Sequence, residues 1–230
     1  MDFESGEILY FDKPYTWTSF QLVGKIRWII SKALGIKKLK VGHAGALDPL
    51  ATGVMIICTG KATKKIETFQ YQTKEYVATL QLGATTPSFD MEYEIDKTYP
   101  YKHITLEMIN NVLPQFIGEI MQIPPIFSAV KVDGKRAYKY ARDGENVELK
   151  AKPLVIKEIE ILNFALPILE LRIVCSKGTY IRALARDIGD ALHSGAYLTA
   201  LKRTKIGNVT LNDCLTIEDF ETKFFAQLSM

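Results

Sequence analysis

The residues best suited to chemistry stand in one short stretch, Gly42-His43-Ala44-Gly45-Ala46-Leu47-Asp48-Pro49-Leu50-Ala51-Thr52-Gly53. Three glycines surround a histidine and an Asp-Pro pair among otherwise small residues. Pro49 biases Asp48 toward extended backbone and discourages helix there. The flanking glycines let a ligand approach the main chain closely. A carboxylate held in this way can serve as a nucleophile or a base. On spacing alone the commoner outcome is plainer, an Asp-Pro turn whose carboxylate caps local amides, and at this point both readings stand.

Other chemistries are excluded by what the chain lacks. It has no G-x-S-x-G elbow, no G-x-x-x-x-G-K-[ST] loop and no H-E-x-x-H pair. Gly42-His43-Ala44-Gly45 has too few glycines, wrongly spaced, for a dinucleotide fingerprint. Cys58, Cys175 and Cys214 are odd in number and far apart, and His43, His103 and His193 do not stand at ligand spacing with them. A disulfide framework and a structural zinc site both fail on that arithmetic. Reduced, mostly buried thiols in a cytoplasmic protein are expected instead.

The elements that must position such a loop can be read from periodicity and caps. Glu7 to Asp12 reads as a strand stopped by Lys13-Pro14. Thr18, with Gln21 three residues on, has the form of a capping box, and Phe20, Val23, Ile26, Ile30 and Leu34 give the helix behind it an apolar stripe. Gly53 to Cys58 reads as a buried strand and Lys74 to Leu82 as an alternating one. Thr105 caps a helix reaching Phe116. Strands are expected near 126–132, 154–164 and 168–176, with a short basic helix from Lys135 to Arg142. Gly178 to Leu192 reads as helical, and Thr216 caps a last helix. Strands and helices that do not strictly alternate indicate an α+β fold with a mixed, mainly antiparallel sheet flanked by helices. With no repeat, low-complexity tract or linker, one domain is expected across residues 1–230.

At 230 residues the chain is long enough to bury a core without staples. Its composition is globular: 47% hydrophobic, 24% charged. The start, Met1-Asp2-Phe3-Glu4-Ser5, lacks the basic and apolar regions of a secretory signal. The run Val54 to Cys58 is far too short to cross a membrane. A soluble protein is expected. The net charge of +3 is small, but the bases are clustered. Residues 21–40 hold six bases and no acid, and residues 131–152 hold seven bases and four acids, interleaved with Tyr138 and Tyr140. Lys202-Arg203-Lys205 forms a third cluster. Any one run alone is a solvated face; three together point to a polyanion partner.

The segment Gly42 to Gly53 resembles the active-site motif of the TruB family of tRNA pseudouridine synthases, and the resemblance extends over almost the whole chain. Lys13-Pro14 followed by Thr18-Ser19 resembles the opening motif. Lys74-Glu75-Tyr76 leading into Leu82-Gly83 resembles the second. Ile123 to Lys131, then Gly134-Lys135-Arg136-Ala137-Tyr138 and Tyr140-Ala141-Arg142, resembles the family's RNA-gripping thumb, about residues 124–152. Cys175-Ser176-Lys177-Gly178-Thr179-Tyr180-Ile181-Arg182 resembles the motif with the active-site arginine, and Leu201-Lys202-Arg203-Thr204 the closing one. These five further motifs, in order around the Gly42–Gly53 segment, are far more specific than any single one.

The resemblance implies the pseudouridine synthase fold and isomerisation of uridine 55 in the tRNA T loop, with no cofactor and no metal. It assigns catalysis to Asp48, Tyr76 and Arg182. Asp48 is the essential carboxylate, which attacks the ribose, attacks the base or removes a sugar proton; Arg182 keeps it ionised and aimed. Tyr76 stacks on the target uracil. Substrate binding falls to His43, Lys13, Tyr180, Leu201, Lys131, Arg136 and Arg142. His43 helps hold the loop open around the extruded nucleotide, and the thumb cations meet T-arm phosphates. Tyr76, Tyr180 and Leu201 would otherwise read as core residues, and Lys13 as a surface lysine. The tRNA T arm is the expected partner, with no obligate protein partner and a monomer as the default. Three departures stand out. Thr16 occupies a position where the family has glycine, so that loop is expected to run differently. Gly83 to Asp90 differs from the family pattern and receives no site role. No C-terminal PUA domain, the small RNA-binding addition of many family members, is expected after the last helix. A non-catalytic RNA-binding protein is the reading from another class, and only such a protein would keep its function without Asp48.

Overall fold

A computed structural model describes residues 2–145 and 147–228, with side chains described up to residue 226. In chain order the elements are β1 (Ile8–Lys13), α1 (Ser19–Leu34), β2 (Val41–His43), β3 (Ala51–Thr59), α2 (Ile66–Tyr71), β4 (Lys74–Leu82), β5 (Ala84–Thr85), β6 (Lys97–Thr98), α3 (Leu106–Val112), β7 (Gly118–Gln122), β8 (Lys131–Val132), β9 (Lys135–Arg136), α4 (Ala137–Arg142), β10 (Lys152–Ala165), β11 (Ile168–Cys175), α5 (Ile181–Ala191), β12 (Ala196–Ile206), β13 (Val209–Thr210) and α6 (Ile217–Leu228). They fall into two compact units, Met1–Glu75 with Lys202–Met230, and Tyr76–Leu201. Strands β4 and β12 each run from one unit into the other. The expected α+β fold with a mixed, mostly antiparallel sheet and flanking helices is the one observed.

In the first unit β3 is the central strand. It pairs antiparallel with β1, from Ile8 opposite Cys58 to Lys13 opposite Gly53, and with β2, from Val41 opposite Thr59 to His43 opposite Ile57. The Lys202–Ile206 part of β12 also borders β3. Val54 to Cys58 are fully buried without alternation, as a continuous apolar run covered on both faces requires. Val54, Ile56 and Cys58 pack with Ala44, Ala62 and Ile206. The Phe11 ring meets Phe220 of α6 edge-on at 5.4 Å, and Phe3 meets Phe224 likewise. Helix α1 starts at the expected capping box: the Thr18 hydroxyl accepts from the Gln21 amide at 3.1 Å, and the Gln21 side chain accepts from the Thr18 amide at 2.7 Å. It ends at Gly35, whose φ of 69° is a left-handed stop. The buried stripe is Leu22, Val23, Ile26, Ile29 and Ile30, with Phe20 and Leu34 left outside it.

The second unit holds strands in the order β12, β4, β11, β10, β7. β4 alternates as expected, with Tyr76, Ala78, Leu80 and Leu82 inward. The β10–β11 hairpin is antiparallel from Ile156 opposite Cys175 to Ala165 opposite Ile168. Thr105 caps α3, accepting from the Met108 amide. The strand expected near 126–132 is reduced to Lys131–Val132, half of a small ribbon with Lys135–Arg136. Asp133 and Gly134 turn between them with φ of 49° and 81°, the left-handed pair of a tight hairpin. The extended residues lie earlier, in β7, which pairs with β10 ahead of the Pro124-Pro125 break.

Candidate active site

In the first unit the Asp48 loop is fixed through its backbone by three side chains. Lys13, at the end of β1, is 0% exposed, and its three ammonium protons meet three carbonyls: Trp17 at 2.5 Å, Pro14 at 2.9 Å and Pro49 at 3.3 Å. Burial lowers its pKa to about 8, against the opposing pull of the Asp48 charge; Arg203 adds to the lowering. Ser19, the first residue of α1, donates its hydroxyl to the Leu47 carbonyl at 3.0 Å and accepts from the Leu47 amide at 2.8 Å. Arg203, 1% exposed, spreads its guanidinium over the carbonyls of Val54 at 2.8 Å, Gly45 at 3.1 Å and Ala46 at 3.3 Å. The Ala51 amide donates to the Asp48 carbonyl and closes the turn. Gly53 admits this packing: its φ is 107°, and a Cβ there would lie 2.2 Å from the Arg203 carbonyl oxygen.

The loop therefore presents a half-buried carboxylate on a backbone pinned at several points, with the Lys13 ammonium within electrostatic reach. Such a group suits chemistry done by an anion at a fixed place. His43, at the end of β2, is held neutral: burial comes first, then the Arg203 charge, and both lower its pKa against the opposing Gly45 main chain. Its Nδ1 is buried with no hydrogen-bond partner among the described residues. Thr16 has φ of 68°. This is left-handed backbone, which glycine adopts more freely than threonine.

In the second unit Arg182 lies in the first turn of α5 and is 5% exposed. It donates to the carbonyls of Ser88 and Phe127, both at 2.9 Å, and its Nε stands 3.7 Å from Asp90. Asp90 is itself held by the Ser88 hydroxyl at 2.6 Å and the Glu92 amide at 3.0 Å. One turn on, Arg186 donates to the Ile123 carbonyl at 3.1 Å and lies over the Phe89 ring. Helix α5 thus grips residues 123 and 127, the root of the segment expected to be the thumb. Tyr180 caps α5, and its main-chain groups are matched by the Gln122 side chain at 2.9 and 3.2 Å.

Tyr76 faces inward from β4 and is largely buried. Leu201 is half-buried on β12. Lys131, Arg136 and Arg142 are exposed on the β8–β9 ribbon and α4. Lys135 is engaged within that segment, at 2.7 Å from Asp143 and 3.3 Å from Glu145, and the Arg142 guanidinium lies over Tyr138. The structure thus gathers Lys13, His43 and Asp48 in the first unit, and Tyr76, Tyr180, Arg182, Leu201 and the thumb cations in the second. Sequence reasoning missed three supporting residues: Arg203, Asp90 and Ser19. Arg203 had been counted in a surface basic cluster, and its burial corrects that. The nearest signals were Arg203's place in the closing motif and Asp90's place two residues after Ser88. Among the described residues no group of three or more His, Cys, Asp or Glu side chains could hold a metal ion, and no helix is long and apolar enough to cross a membrane.

Comparison with known proteins covers the whole described fold. The family described as TruB family pseudouridylate synthase (N terminal domain) matches residues 31–181, and that described as tRNA pseudouridylate synthase B C-terminal domain matches residues 182–228. The chain is 70% identical over 220 residues to tRNA pseudouridine synthase B of Phocaeicola vulgatus, covering 96% of this chain and 94% of that one. It is 52% identical to the same-named protein of Flavobacterium johnsoniae, covering 96% of each. Among solved structures, a Cbf5-Nop10-Gar1 complex matches with a TM-score of 0.73 at 28% identity, covering 99% of this chain and 57% of that one. An H/ACA ribonucleoprotein bound to a substrate RNA matches with a TM-score of 0.69 at 26% identity, and the chain spans 56% of it.

Proposed function

The chain belongs to the TruB family of pseudouridylate synthases, and on that premise we propose that it isomerises uridine 55 in the T loop of tRNA to pseudouridine. The observation that carries this reading is the Asp48 loop, whose backbone is pinned by Lys13, Ser19 and Arg203 while its carboxylate is left half-exposed. A loop built only to cap itself has no need of three buried side chains around it.

The reaction breaks the C1′–N1 bond, turns the uracil while it stays bound, and forms C1′–C5; N1 gains a proton and the C5 hydrogen leaves to solvent. Every element of the ring is conserved, so no oxidant, reductant or cofactor is called for. Asp48 acts as an anion, whether at the ribose carbon, the base or a sugar proton. Arg182 keeps it charged and aimed, and is itself oriented by Asp90 and two carbonyls. The target nucleotide is extruded, with Tyr76 stacked on the uracil. His43, neutral and with Nδ1 unmatched among the described residues, supports the opened loop by its plane and a hydrogen bond rather than by charge. Tyr180 and Leu201 pack the site. Lys131, Arg136 and Arg142 meet T-arm phosphates, and Lys135 keeps the thumb folded through Asp143 and Glu145. The catalytic unit works as one domain and as a monomer.

A T-arm stem-loop RNA, incubated with catalytic amounts of the protein and no cofactor, tests this. Conversion at the target uridine, abolished when that uridine alone is replaced by cytidine, is the expected result. Pseudouridine at another position, or none in either the hairpin or full-length tRNA, would refute the assignment.

A further inference from the structure

Helix α1 carries a ridge that nothing in the catalytic reading uses. Residues four apart on a helix are neighbours on one face, and on α1 the row is Phe20, Gly24, Trp28 and Lys32. Phe20 is 77% exposed and Trp28 54% exposed. Two large aromatic rings about 12 Å apart on a solvent face are an unusual expense for a helix whose core stripe lies on its other side.

Charge narrows what fits there. Lys25 and Lys32 place their ammonium groups 5.2 and 4.7 Å from the Trp28 ring centre. From residue 19 to residue 40 the chain has no acidic residue, and Lys37, Lys38 and Lys40 continue the exposed positive run. Glu221 of α6 pairs with Lys25, and among the described residues Lys32 has the Trp28 ring as its partner. Gly24 supplies a separate indication. A glycine inside a helix costs about 0.5–1 kcal/mol relative to alanine, yet a Cβ at Gly24 would meet no atom within 4 Å. No internal packing demands it. Its effect is to leave open space one turn before Trp28.

The ridge is also continuous with the Asp48 loop. Ser19 opens α1 and holds both main-chain groups of Leu47, so Phe20 begins the ridge beside the catalytic segment and Trp28 lies farther out along the same helix. We infer that the Phe20–Trp28–Lys32 face of α1 is a second RNA-binding surface, on which an unpaired base of the substrate stacks against Trp28 while Lys32 and the lysines at 37–40 take the adjoining phosphates. The chemistry is that of single-stranded recognition: an aromatic platform for a base and ammonium groups for the backbone. This rests on the reading of the substrate as tRNA, and it assigns to α1 the part of that RNA beyond the nucleotide at Asp48.

The test uses a full-length unmodified tRNA transcript and the Trp17→Phe protein, in which Trp28 is the sole tryptophan. Titration with tRNA should quench Trp28 emission. Trp28→Ala should weaken tRNA binding about tenfold, and Lys32→Glu should flatten the slope of log affinity against log salt by about 1 to 2. Unchanged emission together with unchanged affinity in both variants would overturn the inference. So would a wild-type dimer that Trp28→Ala converts to monomer with RNA affinity intact, since the face would then belong to a second copy. Neither readout needs turnover. A protein that binds through Trp28 but forms no pseudouridine sinks the proposed function alone, and one that converts tRNA with Trp28 silent sinks this inference alone.

Discussion

Replacing Arg203 by lysine should separate a buried support from a surface RNA contact. The guanidinium makes three hydrogen bonds to carbonyls, at 2.8, 3.1 and 3.3 Å, across the two sides of the Asp48 loop. A lysine ammonium is a single point that can reach one of them. Two charge-assisted bonds, each worth about 1.5–3 kcal/mol, are then lost; the longer one is weak and the partly exposed Gly45 and Ala46 can recruit water. A destabilisation of about 3 kcal/mol follows. With a urea dependence near 2–3 kcal/mol per molar, the unfolding midpoint should fall by about 1 M. Gly45 and Ala46 lose their anchor, so kcat should drop at least tenfold, because small displacements of a reacting group are costly. The apparent affinity for tRNA should stay within about twofold. A variant with unaltered midpoint and turnover but weakened RNA binding would refute this and restore Arg203 to the surface.

Gly53→Ala should destabilise the protein by several kcal/mol, because the new Cβ falls 2.2 Å from a main-chain oxygen that cannot move aside; a urea midpoint within error of wild type would contradict the packing. Lys13 predicts a pH dependence. Its folded pKa of about 8 lies below the ordinary 10.5, so the unfolded chain binds the proton more tightly and the stability contribution rises as pH climbs from about 8 to 10.5, by about 3 kcal/mol in all. Thermal unfolding of wild type and Lys13→Met across that range should show wild type gaining on the variant, and a pH-independent difference would count against the buried ammonium. Asp90→Asn removes the carboxylate that stands 3.7 Å from the Arg182 Nε. Stability should fall by about 2 kcal/mol and kcat by more than tenfold, as measured by urea unfolding and single-turnover kinetics; normal turnover would show that Asp90 does not orient Arg182.

The parts of this fold legible in the sequence are those decided locally. The Thr18–Gln21 capping box, the Thr105 cap and the alternation of β4 are chemistry between near neighbours, and each appears where expected. Strand β12 was hidden because Lys202, Arg203 and Lys205 make it look like a solvated run. Arg203 can point inward only because the Gly45, Ala46 and Val54 carbonyls wait there, and they are about 150 residues away in sequence. Lys13 was misleading for the same reason: a lysine reads as surface until three converging carbonyls are known. Strand β7 lay beyond reach since its partner, β10, is an element with which it shares no local signal. In the site, the glycines and proline drew attention to the Asp48 loop but left a capping turn the commoner reading until the family's other motifs stood beside it, whereas Asp90 became meaningful only once Arg182 was found beside it.

The most direct test of the catalytic claim follows the hydrogen on C5. Joining C1′ to C5 must release that hydrogen, so tRNA carrying uridine tritiated at C5 reports each turnover as tritium in water. Wild type should release the label of one uridine per tRNA, located at position 55, and Asp48→Asn should release none while still binding the RNA. Release by Asp48→Asn at a rate near wild type would contradict the account at its centre.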